Sequence, residues 1–282
     1  MLVKQIMTET DLTNRQAFQV IGISHSSYYY QPKQVTNSLR LLNQQLCQAI
    51  VEIVERAPVY GYRKVHAVLR AKGWVVYHKK VLRYLRALDL LQPRKIKGHG
   101  FTSPAIVYPE CSNSYWEMDL SYVWCGIGQG YLFVIIDGCD RGIPGDNFDE
   151  RCRAKEAVRA LERGVLRRFG GRVPTGYRLR LRVDRGPQFT SREFKEAAMR
   201  LGIELEYAGI RCPDDKPYIE SFISKYKVEE VYRHEYRSVS EAKMNWELYR
   251  TWYENERVHQ SLKYQTPQKV LEQTQKKALV KV

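Results

Sequence analysis

The chain has 282 residues, and its 46 Lys and Arg outnumber 31 Asp and Glu for a net charge of +15. That length allows one well-cored domain with one or two small modules, and the cationic excess points to a polyanionic partner, nucleic acid first. No run approaches the ~18 consecutive apolar residues of a membrane-spanning helix. The opening MLVKQIMTETD is too polar for a signal sequence, so a cytoplasmic, nucleoid-associated protein with no membrane partner is expected. Six cysteines (Cys47, Cys111, Cys125, Cys139, Cys152, Cys212) stand apart, without a C-x-x-C pair or a His at ligand spacing, and signal neither zinc nor a disulfide framework.

Residues 1–38 read as a small helical N-terminal region. DLTNRQAFQVIGISHSSYYY, 11–30, holds an apolar-periodic run ending at Gly22 and then Ser24 as an N-cap for a second short helix. That is the pattern of a miniature helix-turn-helix or of a plain helical hairpin. QPKQVTNS, 31–38, is a polar linker. Residues 39–94 read as a helix-turn-helix DNA-binding region. From Leu39 an apolar rhythm through Leu42, Leu46, Ile50, Ile53 and Val54 predicts a helix. Two further helices, about 63–71 and 78–89, flank Gly73. Arg63, Lys64 and Arg70 lie on the first, and Lys79, Lys80, Arg83 and Arg86 on the second. This gives a basic face for DNA, although a solvated helical pair in a basic protein would carry the same pattern. Residues 95–113 are a basic, Gly-containing linker.

From Ser114 the period becomes strand-like. SYWEMDLSYVW alternates apolar and polar residues, YLFVIIDG is a short buried run, and GIPGDNF is a weaker third strand whose Pro144 demands a sheet edge or a bulge. AKEAVRALERGVLRRFG, 154–170, predicts a helix, YRLRLRV a strand, and SREFKEAAMRLG a helix opened by Ser191 and closed by Gly202. IELEYA predicts another strand, and 218–235 and 240–256 two amphipathic helices. The order specifies an α/β fold, a mixed five-stranded sheet flanked by helices and preceded by an all-α region.

Three carboxylates fall where this order brings elements together. Asp119 lies in the first strand, Asp184 ends the fourth, and Glu220 sits near the start of the helix after the fifth. Sites in such sheets form beyond strand ends, and clustered carboxylates persist when a cation neutralises them. Hard oxygen ligands of this kind suit Mg²⁺ or Mn²⁺.

WEMDLSY, LFVIIDGCDR, VDRGPQFTSREF, DDKPYIESFISKYK and YENERVHQSLKYQTP, in this order, resemble the DDE integrase core of IS3-group insertion-sequence transposases, and YGYRKVHAVLRAKG resembles the helix-turn-helix segment before it. Asp119, Asp184 and Glu220 fall on the family's three acidic positions, and thirty-five residues separate the last two, the family's DD35E spacing. The resemblance implies an RNase H-like catalytic core with C-terminal helices over 114–282. It implies two Mg²⁺ or Mn²⁺ ions held by the three acids, and DNA strand cleavage and strand transfer by transesterification. The implied partners are double-stranded element ends and target DNA, at least a second copy of the chain, and an upstream-frame protein or a frameshift fusion with it. Lys227, two helical turns after Glu220, falls on a basic family position suited to a phosphate, and a solvated lysine is the alternative. Arg185 and Gln188 are placed to position DNA, and Phe189 is core. Asn255, Arg257 and His259 fall on a C-terminal signature that would support the catalytic helix. Lys216 and Pro217 depart from the family's Asn-Ala or Asn-Gly, and GDNFDER is more acidic than its counterpart. A domesticated, non-catalytic DNA-binding protein and an RNase H-like nuclease without strand transfer are the competing expectations.

Overall fold

Helix α1 (Asn14–Ile21) forms where the first apolar run ends. The Gln16 side chain accepts from the Thr13 amide at 3.0 Å at its entry, and Gly22 stops it with φ 71°, a left-handed conformation that costs glycine little. The computed structural model describes residues 13–22, 24, 43–92, 108–126, 128–209 and 215–280. The expected second N-terminal helix, the 31–38 linker and most of the 95–113 linker lie outside these residues. The chain divides into two compact units, one ending at Gln44 and one running from Gln45 to Val282; α1 belongs to the first.

Helix α2 (Gln44–Arg56) buries Leu46, Ala49, Ile50, Ile53 and Val54, one stripe at the spacing of the apolar rhythm. Helices α3 (Tyr62–Ala71) and α4 (His78–Ala87) bury Val65 and Leu69, and Val81, Tyr84 and Leu85. Between them Gly73 takes φ 88°, and the His66 ring donates to the Val76 carbonyl at 2.9 Å.

The sheet has five strands in the order β3-β2-β1-β4-β5: β1 (Tyr115–Cys125), β2 (Gly128–Asp137), β3 (Asp146–Asp149), β4 (Leu179–Val183) and β5 (Ile203–Tyr207). The first three pair antiparallel, while β4 runs parallel to β1 and β5 parallel to β4. This is the mixed sheet of RNase H-like folds. The weakest expected strand, β3, is an edge, with Pro144 just before it as a residue without an N–H requires. The acidic residues there have internal partners: Asp146 accepts from Trp246 Nε1 at 2.9 Å and from Arg167 at 2.6 Å, which pins the edge strand to helices on both sides.

Strand alternation sorts the core into two layers. Trp116, Met118, Phe133, Ile135, Leu179 and Leu181 face one side, against α5 (Ala154–Phe169) and α7 (Arg192–Leu201). Val123, Cys125, Leu132, Val134 and Ile136 face the other, against α8 (Pro217–Glu229) and α9 (Val239–Asn255). Ser191 caps α7 by accepting from the Phe194 amide at 3.2 Å, and Gly202 at φ 81° ends it. A single turn, α6 (Pro187–Thr190), precedes α7, and α10 (Pro267–Val280) follows the core; both open on a proline.

One expected boundary is corrected. The helix predicted over 218–235 ends at Glu229 and gives way to a 3₁₀ turn at Val231–Arg233. The chain leaves the helix because Tyr236 is buried and its carbonyl accepts from the Gly126 amide at 2.8 Å, so the segment is drawn onto the end of the β1–β2 hairpin.

Where the sheet meets α5, Gly145 and Gly164 allow backbone to touch backbone. A Cβ on Gly145 would collide with the Ala160 carbonyl and lie 2.9 Å from Gly164 Cα, neither of which can move as a side chain would. Gly145→Ala is expected to lower stability by about 2–3 kcal/mol, seen as a lower urea midpoint at unchanged slope; an unchanged midpoint would show that α5 does not sit this close.

Candidate active site

Register brings the first two acids together. Trp116 pairs with Leu181 and Glu117 with Arg182 across the parallel β1–β4 edge. Two further residues along both strands bring Asp119 level with Asp184, and equal parity puts both on the α8 face. Pairing stops after Glu117 and Arg182, so the strands part where the carboxylates stand.

Each carboxylate divides its oxygens in the same way. Asp119 Oδ1 accepts from the Leu120 amide at 2.9 Å, and Asp184 Oδ1 accepts from the Gly186 amide at 2.7 Å. Both Oδ2 atoms face one cation, the Lys216 ammonium, at 3.1 Å from Asp119 and 3.9 Å from Asp184. Burial pushes the Asp119 carboxyl up, and Lys216 opposes that shift. The Arg-Gly-Pro turn serves the same contact: a Cβ on Gly186 would lie 2.9 Å from Asp184 Oδ1 and 2.6 Å from Gln188 Nε2, so a larger residue there would require those two side chains to shift.

Glu220 arrives on α8, whose start is fixed by a residue outside the three motif acids. Pro217 occupies the first helical position and has no N–H to satisfy. The next two amides, of Tyr218 and Ile219, donate at 2.9 and 2.8 Å to Oε2 of the fully buried Glu117. The Tyr115 hydroxyl donates to the other oxygen at 3.2 Å. Burial pushes the Glu117 carboxyl up to about 7, against the pull of these donors. Glu117 thus caps the helix from a different element, at the end where the dipole favours a negative charge. The one signal available was its position two residues before Asp119, on the same strand face. Glu220 and Lys227 then line one open groove with Asp119, about 390 Å³ in volume.

The Integrase core domain family matches residues 109–213 and, in a second description, 201–267; an HTH-like domain matches 42–97. The IS407 insertion-element protein of Burkholderia multivorans is 26% identical, covering 93% of this chain and 91% of its own length. Transposase InsD of insertion element IS2 from Escherichia coli is 26% identical over 63% of this chain and 62% of its own. The catalytic core domain of BIV integrase superposes with a TM-score of 0.45 at 16% identity, covering 59% of this chain and 99% of that one. The chain belongs to the DDE transposases of insertion sequences.

An integrase core implies divalent-metal chemistry, and the donor set of this transposase fits it. Asp119, Asp184 and Glu220 offer hard carboxylate oxygens, and a cation already stands between the first two. Among the described residues no three Asp, Glu, His or Cys side chains close on a single point at ligand distance. The two aspartates share Lys216, and Glu220 shares the groove of Asp119.

The far end of α8 is held as firmly. Arg257, 1% exposed, donates through Nε to Glu229 Oε2 at 2.7 Å, and the Tyr249 hydroxyl donates to the same oxygen at 3.0 Å. Burial pushes the Glu229 carboxyl up, but the Arg257 pair brings it below its ordinary value. Arg257 also donates to His259 Nε2 at 3.0 Å; burial and then Arg257 push that imidazole well below its ordinary value, so it is neutral and can accept. Asn255 takes no part: it is exposed, and its amide donates to the Thr251 carbonyl of its own helix at 2.9 Å.

The basic residues of the transposase separate into two groups. Arg63 on α3 and Lys79, Lys80 and Arg83 on α4 are exposed, as is Arg86 beside them. Lys64 is half-buried, its ammonium 4.6 Å from the Tyr60 ring centre, and burial followed by Arg257 pushes it down to about 7. It therefore faces inward, away from the exposed set. Arg185 is exposed over the Tyr207 ring at 5.6 Å, and Gln188 is half-buried. Phe189 is fully buried against Phe133 and Phe194.

Replacing Glu117 by Leu leaves two helix-start amides without an acceptor. A loss of about 1–2 kcal/mol is expected, together with faster hydrogen exchange at Tyr218 and Ile219. Glu117→Gln, which keeps one oxygen, is expected to lose less. Unaltered exchange at both amides in the Leu variant would show that the cap is not needed.

Proposed function

We propose that this transposase cuts DNA at the ends of an insertion sequence and joins the freed 3′ hydroxyl to a target phosphate, with Asp119, Asp184 and Glu220 as ligands of two Mg²⁺ or Mn²⁺ ions. The observation that carries this reading is the convergence of Asp119 and Asp184, level on neighbouring strands and sharing a single cation. Two divalent ions bound there would raise the nucleophilicity of water or of the 3′ hydroxyl and offset the charge that develops on the departing oxygen.

The protein's own groups supply the rest. Asp119 and Asp184 keep one oxygen each on a backbone amide, which fixes the direction of the other. Lys227, on the groove wall with Glu220, holds a DNA phosphate beside the carboxylates. Arg185 and Gln188 flank Asp184 and steady the strand being cut. The exposed Arg63, Lys79, Lys80 and Arg83 grip the duplex backbone, a contact that positions the DNA without reading its sequence. Lys64 contributes less than the initial charge pattern implies, because it is turned toward Tyr60. Joining two element ends to one target calls for at least two copies on the DNA. Among the described residues no helix is long and apolar enough to cross a membrane, and the reaction belongs at the nucleoid.

Labelled element-end DNA with Mg²⁺ or Mn²⁺ tests the reading. Asp184→Asn and Asp119→Asn are each expected to lower nicking and joining by about a thousandfold while DNA binding persists. Hydrolysis without joining in the wild type would instead identify a nuclease, and binding without metal-dependent nicking would identify a pure DNA-binding protein. Separately, changing Lys79 and Lys80 together to Ala is expected to reduce the slope of log affinity against log salt by about 2. An unchanged slope would remove α4 from the DNA contact.

A further inference from the structure

The place of Lys216 is set by bonds independent of the carboxylates it faces. The Asp215 carbonyl before it accepts from Arg182 at 3.0 Å, and Asp215 Oδ2 accepts from the Gly209 amide at 2.8 Å. Its own carbonyl accepts from the Glu220 amide at 3.1 Å, and Pro217 follows it into α8. The side chain is directed inward and is 8% exposed, with Asp119 Oδ2 at 3.1 Å and Asp184 Oδ2 at 3.9 Å.

We propose that Lys216 is a positioning residue: its ammonium holds Asp119 and Asp184 converged in the metal-free protein, and it withdraws when a divalent ion takes the same two oxygens. The inference rests on the metal-binding reading of the two aspartates. Like charges on neighbouring strands repel, and an ammonium this buried is stable only beside anions, so each side of the contact keeps the other in place. Because Leu120 and Gly186 amides occupy both Oδ1 atoms, the Oδ2 atoms are the ones aimed inward, and lysine and metal compete for them. A lysine suits the task, since its compact charge on a flexible stem can swing aside where a planar guanidinium would stay locked. The consequence is a built-in threshold: the ion must displace a resident cation, and the affinity of the site falls accordingly.

Calorimetric titration of the full chain with Mn²⁺ alone, in wild type and Lys216→Met, tests the proposal without any turnover. The Met variant is expected to bind about tenfold tighter or more, the scale on which one opposite charge at this range alters cation binding to a carboxylate. Its metal-free melting temperature is expected to fall, and its gain on adding Mn²⁺ to exceed that of the wild type. Equal or weaker binding by the Met variant would sink the proposal and leave the metal reading standing, whereas no Mn²⁺ binding by either protein would sink both. Should the variant not fold, the wild type alone decides. Lysine acetylation by an N-hydroxysuccinimide ester, followed by peptide mass spectrometry, is expected to modify Lys216 several-fold faster with Mn²⁺ than without. An equal or slower rate would overturn the proposal.

Discussion

The contact on which the groove depends is the one between a buried carboxylate on β1 and the first amides of α8. Glu117 and Asp119 are two residues apart on one face of the central strand, so whatever fixes the helix to Glu117 also fixes Glu220 relative to Asp119. A carboxylate with no solvent exposure is costly unless hydrogen-bonded. Sliding α8 along the sheet would therefore strand both the acid and two helix-start donors. The helix dipole adds to the hold, with its positive end on the acid. Strand and helix act as one part because their polar groups have nowhere else to go.

At its other end α8 is tied through Glu229 to Arg257, with Tyr249 and His259 completing the cluster. Between the two ties, Ile219, Phe222 and Tyr226 form one apolar stripe, and Phe222 meets Tyr253 edge-on at 5.0 Å between ring centres. A buried ion pair of this kind adds little net stability against a well-packed apolar replacement, but breaking it from one side costs several kcal/mol. Its value here is geometric: the apolar stripe supplies the adhesion, and the two polar ends set where along the sheet the helix comes to rest.

Much of this was legible in the sequence, because alternation and helical spacing are local signals. The parity of SYWEMDLSYVW sets Asp119 opposite Trp116, and the turn residues of VDRGPQF place Asp184 just past a strand end. What stayed hidden depends on distant partners. Glu117 reads as a polar residue in an alternating strand, and its partners lie 101 and 102 residues away. Lys216 reads as a departure from a family pattern, since nothing local shows that a neighbouring strand pair presents two carboxylates to it. Lys64 belongs by spacing to a basic helix face, yet the Tyr60 ring and the Arg257 cluster draw it inward. The acidity of GDNFDER had the same kind of cause, with Arg167 and Trp246 as distant partners of Asp146.

The Tyr60 hydroxyl accepts from the Val258 amide at 3.0 Å, next to the arginine that anchors α8, and Arg56 pairs with Glu256 alongside. The segment leading into α3 is thereby bolted to the frame that carries the groove. On the proposed reading the grip and the cutting edge form a rigid caliper. The stretch of duplex between the phosphates held and the bond attacked would then be measured by protein packing, and an insertion of a few base pairs between them would shift the cut rather than bend the enzyme.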